Sequence, residues 1–195
     1  MARLIDPGDS LLVIVDAQPG FYGDTLAAAS GPMRGPLDRI AWLAATARAF
    51  GIPALATEED PARNGRTAAR ILSALPGGSP VLVKSVFGAA DQPDILAAID
   101  ATERRTAILV GLETDVCVAH TALGLLDRGF RVAVVADATF APSPMHDAGL
   151  RRVAALGAEV VHAKGIYYEW VRTLEAARAF EREHPDLAEP PGFSL

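Results

Sequence analysis

A single cysteine, Cys117, stands among 195 residues, which excludes an intramolecular disulfide and any metal site built from several thiolates. A lone thiol suits a reducing compartment better than a secreted, disulfide-stapled scaffold, so a cytoplasmic location is expected. Basic residues are the minority, 18 Lys and Arg against 24 Asp and Glu, and no basic cluster offsets the formal net charge of −6. A phosphate backbone is therefore a poor partner, and no nucleic-acid binding is expected. Long apolar runs are also missing. The longest early one, Leu11 to Val15, is far too short to cross a bilayer and ends in Asp16, so neither a membrane anchor nor a signal peptide is expected. His146, His162 and His184 fall in three separate elements without ligand spacing, so no metal site and no cofactor is expected. Gly77 and Gly78 lack the strand, helix and Lys-Ser/Thr context of a phosphate cradle.

What is present is core-forming material, 50% hydrophobic residues with 22% charged, enough for one domain over residues 1–195. Short runs of Val, Ile and Leu alternate with stretches of helical spacing, the pattern of an α/β protein whose parallel sheet is covered on both faces. Strands are expected at Leu11–Asp16, Pro53–Thr57, Val81–Lys84, Ala107–Gly111, Val132–Ala136 and Glu159–His162. Helices are expected around Leu37–Ala47, Ile95–Ile99, Val118–Leu126 and Leu150–Leu156, with one final helix holding Trp170, Leu174, Ala177 and Phe180. Two long loops, Gly20–Pro36 and Asp60–Gly65, follow strand ends, where loops often carry function. The proline-rich tail after Pro185 is expected to be loosely held.

Ligands of doubly wound sheets bind beyond the carboxyl ends of the strands, near the point where strand order reverses. Asp16 closes the first expected strand, Lys84 closes the third, and Cys117 follows the fourth at the opening of a helix. If the strand order is 3-2-1-4-5-6, Asp16 and Cys117 face one crevice. An ammonium and a helix N-terminus both favour a thiolate, so Cys117 beside Lys84 is expected to ionise near neutral pH. Asp16 is suited to take the thiol proton and return it to a leaving group. Thr114 or Asp115 is expected to cap the helix, leaving backbone N–H groups for an oxyanion. Each residue also has a structural reading: a buried thiol, a turn aspartate, a solvated lysine.

The runs LLVIVDAQPGFYGD (Leu11–Asp24), VLVKSVFGA (Val81–Ala89) and GLETDVCVAHTALGLLDRGFRVAVVADAT (Gly111–Thr139) resemble the signature blocks of the isochorismatase-like cysteine hydrolases. The resemblance runs from Leu11 to Tyr168, with the block around Cys117 the most specific. It implies a three-layer αβα sandwich around a six-stranded parallel sheet in the order 3-2-1-4-5-6. It also implies Asp16 as the proton-transferring carboxylate, Lys84 as its charged partner and Cys117 as the nucleophile. A non-proline cis peptide between Leu112 and Glu113, and an oxyanion hole from the N–H groups of Glu113 and Cys117, are implied as well.

Departures narrow the chemistry. Nicotinamidases of this family carry metal-binding histidines after the second strand, whereas residues 58–74 contain none. Isochorismatases proper lack the cysteine that this chain keeps. The Thr57-Glu58 pair and the G-L-E turn before Cys117 resemble the isochorismatase-domain-containing proteins instead. The expected activity is metal-independent cleavage of a small amide, ureide or related C–N bond through a thioester, by a homo-oligomer acting on a small molecule. Gln18, Phe21, Phe87 and Glu58 are the expected substrate-binding residues, with Glu58 alternatively orienting Lys84. Tyr167, Tyr168 and Trp170 are candidates for a subunit interface. Two readings compete: a ligand-binding or scaffold protein without turnover, and a thiol redox sensor, the latter lacking a resolving cysteine.

Overall fold

A computed structural model describes residues 4–23 and 34–192; of the expected loop Gly20–Pro36, positions 24–33 lie outside the described residues. Six strands form: β1 (Ser10–Val15), β2 (Ala54–Glu59), β3 (Val81–Lys84), β4 (Thr106–Leu112), β5 (Arg131–Phe140) and β6 (Glu159–Val161). They pair in parallel in the order β3-β2-β1-β4-β5-β6, the order that the crevice argument requires. The central strands β1 and β4 are buried at every position, which is why their sequences run apolar without alternation.

Alternation along each strand divides the core into two layers. Leu12, Ile14, Ala56, Ile108, Val110, Ala133 and Val135 face one side. There they pack on α1 (Arg34–Ala49), α2 (Ala69–Ala74), α6 (Ala163–Val171) and α7 (Leu174–Glu183). Leu11, Val13, Leu55, Ala107, Leu109, Val132 and Val134 face the other. They meet Ile95 and Ile99 of α3 (Pro93–Asp100), Ala122 and Leu125 of α4 (Ala119–Asp127) and Val153 of α5 (Met145–Ala155).

The expected final helix is two. Arg172 takes a left-handed φ of 68° and ends α6, and Thr173 caps α7 by accepting the Ala176 N–H. Apolar spacing continues across the break, so periodicity alone did not reveal it. Tyr167 and Trp170, candidates for an interface, are instead buried in the core with Phe50, Trp42 and Phe180, while Tyr168 is partly exposed. The tail is better anchored than expected: the Trp42 indole N–H donates to Leu187 O at 3.1 Å, and Leu187 packs on the core. Among the described residues, no helix is long and apolar enough to cross a membrane.

A close backbone approach between β1 and β4 lies beside the expected site. Val15 pairs with Gly111, which has φ +120°, and a Cβ there would lie 1.9 Å from Val15 O. Only glycine permits that spacing and conformation. It brings the end of β1 against the end of β4, from which the cysteine-bearing turn departs.

Candidate active site

Asp16 follows the last residue of β1 and takes a left-handed φ of 45°. This is an uncommon conformation for a non-glycine residue, and such conformations cluster at functional sites. Its N–H donates to Thr57 O on β2, and its own carbonyl accepts the Gln18 N–H. The carboxylate is thereby turned toward the α3/α4 side, fully buried. Thr57 donates to Oδ1 at 2.8 Å, and Lys84 Nζ lies 2.7 Å from Oδ2.

Lys84 reaches Asp16 from β3, two strands away, a distance of about 10 Å at normal strand spacing. Only a long side chain crosses that gap. Its ammonium also donates to Val86 O at 2.9 Å and to Cys117 Sγ at 3.5 Å, and Glu59 Oε2 lies at 3.5 Å. Cys117 sits in a turn of π-helix, Thr114–Val118, closed by the Val118 N–H on Glu113 O. Such turns recur at functional sites. The expected cap by Thr114 or Asp115 does not form: Glu113 is the N-cap and uses no side chain. Thr114 Oγ1 instead pairs with His146 Nδ1 at 2.8 Å. The Leu112–Glu113 peptide is cis, as the resemblance implied.

The expected thiolate is corrected. Burial pushes the Cys117 thiol up, the Asp16 carboxylate adds to this, and Lys84 only partly opposes it. The reason is geometric: Asp16, 2.7 Å from the ammonium, already neutralises the charge that was to stabilise the sulfur. Burial likewise raises the Asp16 carboxyl against the opposing pull of Lys84. Burial lowers Lys84, but Asp16, joined by Cys117 and Glu59, outweighs it and holds the ammonium protonated above the ordinary lysine range. The resting arrangement is a neutral thiol beside a buried ion pair.

Two acidic neighbours on β2 divide differently from the sequence expectation. Glu58, expected to orient Lys84 or touch substrate, is 1% exposed and faces the opposite side of the sheet. There it meets Arg66 at 2.8 Å and accepts the Thr67 N–H. The strand period of two sends Glu59 and Thr57 to the site face instead, and Glu59 Oε2 comes within 3.5 Å of both Cys117 Sγ and Lys84 Nζ. Extending the second expected strand beyond Thr57 and applying that period was the signal available.

Gln18 is also reassigned. It is wholly buried, and its amide is consumed by the backbone: Nε2 donates to Glu59 O and Gly65 O, and Oε1 accepts the Glu59 N–H. It fixes Glu59 rather than binding a ligand. Phe21 packs against the core on the α1 side. Phe87 is 55% exposed, with its ring edge-on to His120.

A cleft of about 520 Å³ is lined by Glu59, Asp60, Pro61, Ala62, Val83, Lys84, Ser85, Val86 and Phe87; it adjoins the site through Glu59 and Lys84, with the Cys117 side of the cluster buried behind them. A larger depression of about 970 Å³ lies at the other edge of the sheet around Arg105, Arg131 and Glu159, but its charges pair with one another, Arg131 with Glu159 at 2.5 Å. Asp16, Glu59 and Cys117 present ligand atoms within 4.8 Å of one another. That spacing suits a cation, and the Lys84 ammonium already supplies one there, within 2.7 to 3.5 Å of all three.

The chain is 29% identical over 193 residues to isochorismatase domain-containing protein 1 of Danio rerio, covering 95% of this chain and 60% of that protein. It thus spans about three fifths of that relative's length. It is 28% identical to the probable hydrolase YcaC of Escherichia coli over 93% of this chain and 89% of that protein. The E. coli YcaC structure, an octameric hydrolase of unknown specificity, superposes with a TM-score of 0.81 at 24% identity, covering 96% of this chain and 94% of that one. YcaC of Pseudomonas aeruginosa, solved with hexane-2,5-diol and covalent acrylamide, superposes with a TM-score of 0.82 at 26% identity, covering 96% and 95%. The Isochorismatase domain matches residues 10–164, and the chain belongs to the isochorismatase family of hydrolases.

Proposed function

We propose that the chain is a metal-independent cysteine hydrolase that cleaves a small amide, ureide or related C–N bond. The observation that carries this reading is the buried contact set in which one ammonium touches both the Asp16 carboxylate and the Cys117 sulfur. A structural lysine has no need to be fully buried between a strained aspartate and the chain's only thiol at the carboxyl edge of a parallel sheet.

The chemistry follows from the proton inventory. As Sγ attacks the carbonyl carbon, the S–C bond forms, the thiol proton passes to Asp16, and the carbonyl π electrons move to oxygen. Burial, which raises the Asp16 carboxyl, makes it a better acceptor of that proton than an ordinary aspartate. The N–H groups of Glu113 and Cys117 are the donors assigned to the oxyanion, and one such donor is worth about 10² to 10³ in rate. When the C–N bond breaks, Asp16 returns the proton to the leaving nitrogen. Water then attacks the thioester and gives its proton to Asp16, the S–C bond breaks, and Asp16 returns that proton to the leaving sulfur to restore the thiol. Throughout, Lys84 keeps its proton and holds the carboxylate in place.

The covalent acrylamide on P. aeruginosa YcaC supports a reactive nucleophile in that relative, and the octamer of E. coli YcaC supports a homo-oligomer here. A panel of small amides and ureides tests the reading. Wild type should hydrolyse at least one, and Cys117→Ala and Asp16→Asn should abolish that turnover while the fold stays intact by circular dichroism. Full activity in Cys117→Ala contradicts the covalent route.

A further inference from the structure

The proposed mechanism uses Asp16, Lys84 and Cys117 and gives Glu59 no task, although its carboxylate is as near the sulfur as the lysine is. Oε2 lies 3.5 Å from Cys117 Sγ and 3.5 Å from Lys84 Nζ. The Glu59 side chain is 25% exposed, whereas those of Asp16 and Lys84 are wholly buried, so Glu59 presents its charge to the cleft. Its backbone is held on both sides by the Gln18 amide, which fixes the carboxylate's point of departure.

The charge balance of the cleft depends on this residue. Among the described residues, Lys84 is the only cationic one lining it, and Asp16 neutralises that charge at 2.7 Å. The remaining charged liners are Glu59 and Asp60. The field of Glu59 reaches beyond the cleft wall: Glu113, at the start of the cysteine turn, has its carboxyl raised by burial first, and then by Asp115 and Glu59. The rest of the wall is apolar, with Pro61, Ala62, Val83 and the exposed ring of Phe87.

We propose that Glu59 selects substrates by charge, so that the site accepts small amides or ureides that are neutral or cationic and rejects those bearing a carboxylate. This rests on Cys117 being the nucleophile. The attacked carbon sits about 3 to 3.5 Å from the sulfur in a reactive pose, and Oε2 is 3.5 Å from the same sulfur, so a substituent on that carbon that turns toward β2 comes within reach of the carboxylate. A carboxylate there can only accept hydrogen bonds. It therefore welcomes the N–H groups of a primary amide, ureide or protonated amine and repels an anion. Phe87 at the mouth offers a ring face to a cationic head.

The test needs no identified substrate, because the chain's single cysteine reports every modification. Two methanethiosulfonates with the same reactive sulfur, one ending in trimethylammonium and one in sulfonate, are reacted with wild type. Cys117 Sγ forms the new disulfide bond, and methanesulfinate leaves in each case. Rates are read by intact mass and divided by those for a neutral cysteine amide. Wild type should prefer the cationic reagent over the anionic one by at least about tenfold more than the free thiol does. Glu59→Gln should bring that preference to within about threefold of the free thiol. If wild type reacts readily with both reagents in the free-thiol ratio, the charge selection is wrong and the nucleophile stands. A preference that survives in Glu59→Gln overturns the assignment to Glu59. Failure of both reagents to modify Cys117 overturns the nucleophile itself and the selection with it. The wild-type ratio is a test in its own right should the variant not fold.

Discussion

Replacing Lys84 with methionine removes the ammonium while keeping most of the side-chain volume. The partners left behind are severe. Asp16, fully buried, loses the cation at 2.7 Å, and Glu59 loses one at 3.5 Å. Removing one member of a buried ion pair costs about 3 to 5 kcal/mol, because the other charge stays buried and uncompensated. For a chain of this size each kcal/mol moves the melting temperature by about 2 to 4 °C, so a fall of about 6 to 20 °C is expected. The size of the deficit depends on pH. The Asp16 carboxyl, already raised by burial, rises further without its lysine; on acidification it protonates and the uncompensated charge disappears. The wild-type ammonium is raised above 10.5, so its contribution is whole below that value and is lost as pH climbs through the higher folded value. The deficit of Lys84→Met is therefore greatest near neutrality and shrinks toward both extremes. Asp16→Asn/Lys84→Met should melt above the single variant, since the orphaned charge is gone. Thermal melts of the four proteins across pH measure all of this. A loss under about 1 kcal/mol at neutral pH, in the range of an exposed pair, or a deficit that ignores pH, refutes the reasoning.

Three further outcomes follow from the same contacts. Titration of the Cys117 thiol by ultraviolet absorbance, against Cys117→Ala as blank, should show ionisation above the ordinary thiol value of 9.0. In Asp16→Asn it should move down, since Lys84 is released to the sulfur, and alkylation by iodoacetamide should quicken even as amide turnover is lost. Gly111→Ala, which sets a methyl 1.9 Å from Val15 O at φ +120°, should cost about 3 kcal/mol or more by chemical denaturation and lower Cys117 reactivity with it. Glu58→Gln leaves the Thr67 N–H an acceptor but removes the charge facing Arg66. It should cost about 1 to 3 kcal/mol in a melt without altering the charge preference of Cys117 labelling.

The sheet is legible because β1 and β4 run apolar without alternation after their first residues, Ser10 and Thr106, and the glycines after Phe50 and Arg128 mark helix ends, both local signals. The three residues that meet at the site were legible as polar ends of apolar strands. Glu59 is not legible for a geometric reason: the apolar run ends at Thr57, whereas β2 continues through Glu58 and Glu59 and sends them to opposite faces. The helix break at Arg172 depends on one φ value that apolar spacing does not encode. The thiol's ionisation was misjudged because a lysine beside a cysteine raises no alarm until the carboxylate already holding that lysine is seen.

One chemical species distinguishes covalent catalysis from every alternative: the acyl group carried by Cys117 between the two halves of the reaction. Wild type should be quenched with acid while it turns over an amide or ureide, and its intact mass and cysteine-containing peptide measured. A population heavier by the acyl part of the substrate, mapped to Cys117 and absent from Asp16→Asn, is the predicted result. Product accumulating while Cys117 stays unmodified at every time point would contradict it.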